Sequence, residues 1–140
     1  MRGRAEARSA AALLARAFQQ MRCHVGVVVT SPYRRCVETA RPLASILDRP
    51  LVEDRRLRPG FESTDFAGIV EGHPDLDLAL VGHEPDLSSL LHYLSGVRLT
   101  MPKGGAARLD VLSLRPGGSE LRWFLRPKQL RLIASARVSA

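Results

Sequence analysis

An α/β domain with a mostly parallel sheet and an antiparallel edge is the fold class this sequence predicts, and three observations carry it. Two short apolar runs, Val27-Val28-Val29 and Leu78–Val81, are each followed by a polar turn and a stretch of helical character. Runs that are apolar at every position suit strands covered on both faces, as in a parallel sheet between helices. Near the C-terminus Ala107–Leu114 alternates, and Arg115-Pro116-Gly117-Gly118 supplies a turn before Leu121–Leu125, the pattern of an antiparallel hairpin.

The elements follow in order. Residues 1–20 read as an amphipathic helix, with Leu13, Leu14 and Phe18 on one face and Arg4, Arg8 and Arg16 largely away from it. The apolar run Ala10–Ala15 is too short for a signal peptide and ends at Arg16. Val25–Thr30 is the first strand, and Arg35–Leu47 the second helix, in which Pro42 should cause a kink or a division. Ser31 is expected as its N-cap, with Pro32 suited to its first turn. Leu51–Glu53 is a short strand and Asp54–Gly60 an arginine-rich loop. Ser63–Glu71 is a short helix for which Ser63 or Thr64 could serve as cap. Leu78–Val81 leads through Gly82-His83-Glu84-Pro85 into a helix over Asp86–Leu94, closed by Gly96. Met101–Gly105 is a loop, and Lys128–Ala134 a terminal helix after the hairpin.

Composition bounds the function classes. The 140 residues make one domain, 45% hydrophobic and 25% charged, ordinary globular values that exclude disordered and fibrous classes. No run is long enough for a membrane span. Cys23 and Cys36 offer neither a disulfide framework nor a metal spacing, which suits a reducing, cytoplasmic setting, and both read as small core residues. The net charge of +7 invites a nucleic-acid reading, but the basic residues spread from Arg2 to Arg137 without a stripe or tail. Only seven aromatics are present to stack on bases, so a nucleic-acid partner is not expected. Only Lys103 and Lys128 among the 21 basic residues are lysine, a bias that a G- and C-rich genome would produce without any functional cause. The excess positive charge would also steer an anionic substrate.

Two strand-to-helix corners carry the candidate chemistry. In Thr30-Ser31-Pro32-Tyr33-Arg34-Arg35 a buried strand turns into a helix whose first turn holds two arginines. Free backbone N–H groups at a helix start, with guanidinium groups beside them, suit a phosphate-sized anion. Val81-Gly82-His83-Glu84 is a second such corner. Ligands collect beyond the carboxyl ends of parallel strands, so Ser31–Arg35 and Gly82–Glu84 should face one cleft despite their separation in sequence. There an arginine and a protonated histidine would stabilise charge on the equatorial oxygens of a transferring phosphoryl group. Other arrangements fail. Ser31 lacks the G-x-S-x-G elbow, and Lys103-Gly104-Gly105 is not a phosphate-binding P-loop. His24, His73, His83 and His92 have no metal-ligand spacing, so neither metal nor cofactor is expected. His24 and His92 read as packing or surface histidines, and Glu62, Glu71 and Glu84 as possible acids, although a lone carboxylate on a loop is usually just solvated.

Together T-S-P-Y-R-R-C-V-E-T-A and V-G-H-E-P-D-L resemble the histidine phosphatase superfamily, and P-K-G-G-A-A-R-L-D-V-L with W-F-L-R-P-K-Q-L narrows the resemblance to SixA-type phosphohistidine phosphatases. The resemblance covers nearly the whole chain. It implies a phosphoglycerate mutase-like, three-layer α/β/α fold and metal-independent hydrolysis of a phosphoramidate. The substrate would be a phosphorylated protein or a small phosphate-containing compound, and no membrane would be involved. Carried over by motif, Arg35 would bind the phosphoryl group and His83 would be the second active-site histidine, with Ser31 among the substrate-binding residues.

The family's chains begin with a strand ending in Arg-His-Gly or a close variant, whose histidine attacks phosphorus. Here Met1–Ala7 resembles the helix that follows that segment, and the chain contains no Arg-His pair. The resemblance therefore implies that the nucleophile and one phosphate-binding arginine are absent from these residues. It also implies an absent strand, inside the sheet between Leu78–Val81 and the Ala107–Leu114 hairpin. A truncated or misassigned start is expected ahead of the alternative, a catalytically inactive phosphate- or phosphoprotein-binding module.

Overall fold

A computed structural model describes the backbone of residues 2–136 and the side chains of residues 7–136. Its helices are α1 (Arg2–Gln20), α2 (Arg34–Leu47), α3 (Ser63–Glu71), α4 (Asp86–Ser95) and α5 (Pro127–Ser135). The strands are β1 (Val27–Thr30), β2 (Leu51–Glu53), β3 (Leu78–Val81), β4 (Ala106–Val111) and β5 (Ser119–Leu125), with a 3-10 turn at Arg55–Leu57. The side chain of Arg4, expected on the polar face of α1, lies outside the described residues.

β1 is the centre. All four of its residues are buried, and it pairs in parallel with β2 on one side and β3 on the other. Because side chains alternate along a strand, its valines supply two cores at once. Val28 joins Ala11, Leu14 and Ala15 of α1, Ala40, Leu43 and Ala44 of α2, and Leu130 and Ala134 of α5. Val27 and Val29 face the other way, against Leu57, Phe61, Phe66, Ile69 and Leu94. Helices α1, α2 and α5 therefore cover one face of the sheet, and α3 and α4 the other, giving three layers. Full burial of each valine stabilises the fold by about 1.5–3 kcal/mol, which explains why β-branched apolar residues fill this strand.

The strands form a parallel sheet and an antiparallel hairpin, separated at the place where the resemblance implies an absent strand. β2-β1-β3 form a parallel sheet and β4-β5 a separate antiparallel pair, with no hydrogen bonds joining β3 to β4. Both sheets nevertheless contribute to the same two apolar clusters. Ala79, Val81, Ala106 and Leu125 lie with the first, and Leu78, Leu80 and Leu109 with the second.

Smaller departures have local causes. The β1 ladder starts at Val27 rather than Val25, because Gly26 and Val27 both donate their N–H to Asp77 O, at 2.8 and 3.3 Å. α2 is not divided at Pro42; Ala40, Leu43 and Ala44 are buried on both sides of it, and that packing holds the helix through the lost hydrogen bond. α3 is preceded by Glu62 in the N-cap position rather than capped by Ser63 or Thr64, and the Glu62 N–H donates to Asp65 Oδ2 at 2.9 Å. β4 stops at Val111, short of Leu114, where Ser113 N–H turns to Gly118 O at 2.9 Å and Leu112 is left 73% exposed. The alternation of Val111-Leu112-Ser113-Leu114 has no covering layer to answer it.

Candidate active site

β1 and β3 are parallel neighbours with Thr30 opposite Val81, so the chain leaves both strands at the same edge of the sheet. Ser31 and His83 meet there, Ser31 Oγ lying 2.8 Å from His83 Nε2. Ser31 is fully buried, and its N–H donates to Val81 O at 2.9 Å, which bolts the two corners together. Its hydroxyl also accepts the Tyr33 N–H at 3.2 Å. With a lone pair used in that way, the hydroxyl proton is free to be given to an imidazole nitrogen.

These bonds correct the expected role of Ser31. It is not the N-cap of α2, since the chain stays extended through Tyr33, which occupies the cap position without a side-chain cap. Pro32 accordingly precedes the helix instead of opening it. The consequence is chemical: the backbone N–H groups of Arg34 and Arg35 make no hydrogen bond among the described residues. A helix start left open in this way carries partial positive charge and directional donors. Arg34 is drawn to Glu38 at 3.0 Å, an exposed pair that adds little to stability. Arg35 is exposed on the same turn, and among the described residues its guanidinium enters no ion pair. Ser31 and His83 are thus brought into direct contact, while Arg35 sits four residues along from Ser31 with its fork unengaged.

Two neighbours of His83 escaped the sequence reading. The Tyr33 ring meets the imidazole edge-on, with centroids 5.0 Å apart and planes at 75°. Cys36 Sγ lies 3.6 Å from His83 Nε2 and 3.5 Å from Gly82 O. Burial pushes the Cys36 thiol above its ordinary pKa, against a smaller opposing effect from Ser31, so it remains a protonated, packed side chain. The signal for Tyr33 was its place between the strand and the arginines, since an aromatic residue 53% exposed at such a corner has no core to fill.

The His83 corner is finished differently. Glu84 Oε1 accepts the Ser88 N–H at 2.9 Å, and Ser88 Oγ donates to Glu84 Oε2 while accepting the Met101 N–H at 2.9 Å. Glu84 is therefore a structural ligand of the α4 N-terminus and not merely a solvated carboxylate.

A third corner borders the same edge. After β2, Asp54 N–H donates to Thr30 O at 2.8 Å, and the Asp54 carboxylate accepts from Arg56 Nε at 3.0 Å, Nη2 at 2.8 Å and the Arg56 N–H at 2.9 Å. The Arg56 fork holds the Asp54 carboxyl below the usual range, with partial burial working against it. Gly60 N–H is tied to Asp86 Oδ2 at 2.6 Å, which seats the arginine-rich loop beside α4.

The remaining histidines stand apart. His24 precedes β1 and so belongs to the opposite end of a strand that itself spans roughly 13 Å. His92 is six residues into α4, about 9 Å along its axis. His73 follows α3 and lies near enough to Asp54 to help lower its carboxyl. Among the described residues no three His, Cys, Asp or Glu gather where a metal ion could be held. No helix among the described residues is long and apolar enough to cross a membrane. A cleft of about 430 Å³ between α1 and α2, lined by Arg8, Val37, Glu38, Arg41, Pro42 and Ser45, shares no residue with the Ser31–His83 pair.

The chain matches the family model of the histidine phosphatase superfamily (branch 1) over residues 2–59, a span that contains Ser31 and Arg35 and stops short of His83. No curated protein matches it. Among solved structures, it resembles one assigned as the phosphohistidine phosphatase SixA of Agrobacterium tumefaciens, with a TM-score of 0.64 and 19% identity over 84% of this chain and 80% of that one. The structural likeness establishes the phosphoglycerate mutase-like fold, and the family match over residues 2–59 agrees with the superfamily resemblance carried by the motifs.

Proposed function

We propose that this chain, whose family match and fold support a histidine phosphatase assignment, provides the phosphoryl-binding and transition-state-stabilising part of a phosphohistidine phosphatase-like site. The observation that carries the reading is the Ser31–His83 contact at the carboxyl edge of two parallel strands, beside a helix start whose amides and Arg35 are unengaged. A tetrahedral phosphoryl group seated there would take the open N–H groups of α2 and the Arg35 fork on its oxygens. His83 would reach it from the neighbouring strand, steadied by Ser31, Tyr33 and Cys36. The substrate is a phosphorylated protein or a small phosphate-containing compound. The test is titration with phosphate or vanadate: wild type should bind, and Arg35→Ala and His83→Ala should each bind more weakly while keeping the wild-type circular dichroism. Equal binding by all three sinks the assignment.

A second reading, phosphate or phosphoprotein binding without turnover, is favoured by the placement of the other imidazoles. None of His24, His73 and His92 hydrogen-bonds to the Ser31–His83 pair among the described residues. An in-line attack needs a nucleophile distinct from the group that stabilises the phosphoryl oxygens. Within this chain His83 can take only one of those roles.

A further inference from the structure

We propose that the Asp54–Gly60 loop forms the opposite rim of the phosphoryl site, where Arg55 and Arg58 select a polypeptide segment with carboxylates beside its phosphorylated residue. The inference rests on the phosphoryl-binding reading above and narrows its substrate class to acidic protein segments. The two ends of the loop are fixed at the corners already described. Asp54 N–H donates to Thr30 O at 2.8 Å, one residue before Ser31, and Gly60 N–H donates to Asp86 Oδ2 at 2.6 Å, three residues after His83. The span between them therefore crosses the strand ends along the edge where Ser31 and His83 meet. Leu57, fully buried in the cluster of Val27 and Val29, holds its middle to the face opposite α2. Arg35 thus borders the edge from one face, and the loop borders it from the other.

Of the three arginines in the loop, one is engaged and two are not. Arg56 is clamped by the Asp54 carboxylate and lies over α3, where a Cβ on Gly68 would stand 2.5 Å from its Nη1. Arg55 and Arg58 are exposed, and among the described residues neither guanidinium enters an ion pair. Arg58 Nη1 donates to the Arg55 carbonyl at 3.3 Å, which closes the turn between them. The carboxylates along the same edge are mostly answered: Asp54 by Arg56, Glu84 by Ser88 and Asp86 by the Gly60 N–H. Glu53, exposed at the end of β2, is outnumbered by Arg35, Arg55 and Arg58.

This arrangement specifies the occupant. A phosphoryl group on the α2 amides and Arg35 leaves two further guanidinium forks across the strand ends, and a fork matches the planar geometry of a carboxylate. The site is also open. Tyr33 beside His83 is exposed, as is Arg34 on the opening turn of α2, whereas small-molecule sites are concave and bury most of their ligand. An extended chain laid across the edge meets both conditions. It carries its phosphoryl group into the α2 corner and sets acidic side chains against the loop.

The test uses the whole chain and two fluorescent peptides whose central residue is phosphoryltriazolylalanine, a stable mimic of phosphohistidine. One peptide is flanked by glutamates and the other by glutamines. Single exposed ion pairs are weak, so wild type should bind the glutamate peptide about fivefold more tightly than the glutamine peptide. The double variant Arg55→Gln/Arg58→Gln should reduce that preference to about twofold or less. Arg22→Gln/Arg49→Gln, which removes the same charge ahead of β1 and β2 at the opposite end of the strands, should keep it. Equal loss in both double variants would show diffuse charge and overturn the proposal, as would a preference that survives Arg55→Gln/Arg58→Gln. Wild type that binds inorganic phosphate without distinguishing the peptides would overturn it too, and would leave the phosphoryl-binding reading standing. Pyrophosphate is the remaining arm. If it binds as tightly as the glutamate peptide and depends equally on Arg55 and Arg58, the rim belongs to small polyphosphates and the proposal ends. Failure of phosphate and both peptides to bind would end it together with the reading on which it rests.

Discussion

The two corners that meet at Ser31 and His83 look alike in sequence, each a strand, a polar turn and a helix start, yet they are finished with opposite charge. At the first, α2 begins without a side-chain cap, and Arg34 and Arg35 occupy its opening turn. At the second, the Glu84 carboxylate takes the Ser88 N–H, and Asp86 stands in the first turn of α4. A helix N-terminus attracts an anion through its unpaired donors, and a carboxylate already in place removes that attraction. The difference teaches that, on the proposed function, an incoming phosphoryl group would be received at the α2 corner, while the α4 corner would deliver an imidazole and is otherwise closed by its own carboxylates. Each prediction below breaks or sharpens that division.

The largest effect concerns turnover. On the proposed reading both corners would stabilise and neither would attack, so the 140-residue chain offered a phosphohistidine substrate should form no phosphoenzyme. Mass measurement at mildly alkaline pH, where phosphohistidine survives, should show no added phosphate. Joining an N-terminal strand that carries an Arg-His pair should produce both the covalent intermediate and hydrolysis. Phosphate found on His24, His73, His83 or His92 of the unextended chain would break the division outright.

Next in size is Arg35. Charge-assisted hydrogen bonds contribute about 1.5–3 kcal/mol each. At about 1.4 kcal/mol per tenfold, Arg35→Ala should weaken phosphate binding roughly ten- to a hundredfold. Arg34→Ala, which loses an arginine already turned to Glu38, should cost much less. If the two variants weaken binding equally, the first turn acts as diffuse positive charge and not as a directed fork.

The third corner gives a pH test. Asp54 has its carboxyl lowered by Arg56, so its contribution to stability is fully present above the ordinary aspartate value near 3.9. It is lost as pH falls through the lowered native value. Asp54→Asn should therefore be less stable than wild type at neutral pH, with the gap closing in acid. No gap at any pH would show that Asp54 acts through its backbone bond to Thr30 alone, which the substitution leaves in place.

Much of this was legible in the residues. Three adjacent valines marked the central strand, because only a strand covered on both faces tolerates them, and the parallel register then brought Ser31 to His83. The resemblance, unlike the strand pattern, also pointed to the place where the sheet divides. β3 reads like β1 residue by residue, since burial on both faces and an open edge leave the same apolar run. The cap positions were hidden for another reason. Ser31 is a good N-cap residue by type, but its hydroxyl is engaged by His83 and Tyr33, contacts that exist only once β3 is beside β1. Glu84 binds forward to a residue four places on, so its role depends on where α4 begins. Leu112 and Leu114 satisfied the strand alternation without any layer above them to bury against.

The smallest expected effect falls on Glu84, and it tests the closed corner directly. Glu84→Gln keeps an oxygen that can accept the Ser88 N–H and removes only the charge. Loss of a carboxylate from a helix N-terminus costs about 0.3–1 kcal/mol, so the melting temperature should fall by a few degrees. Phosphate affinity should hold or tighten by no more than about threefold, because a negative charge beside the His83 corner is gone and exposed charges interact weakly through water. Glu84→Ala, which also removes the acceptor, should lower stability further and leave affinity at the same level. The pair of variants separates the cap from the charge by calorimetry, and one phosphate titration on each completes the comparison. A collapse of phosphate binding in Glu84→Gln with the fold intact would place the carboxylate in the binding machinery, and the division between an anion-receiving corner and a capped one would fall.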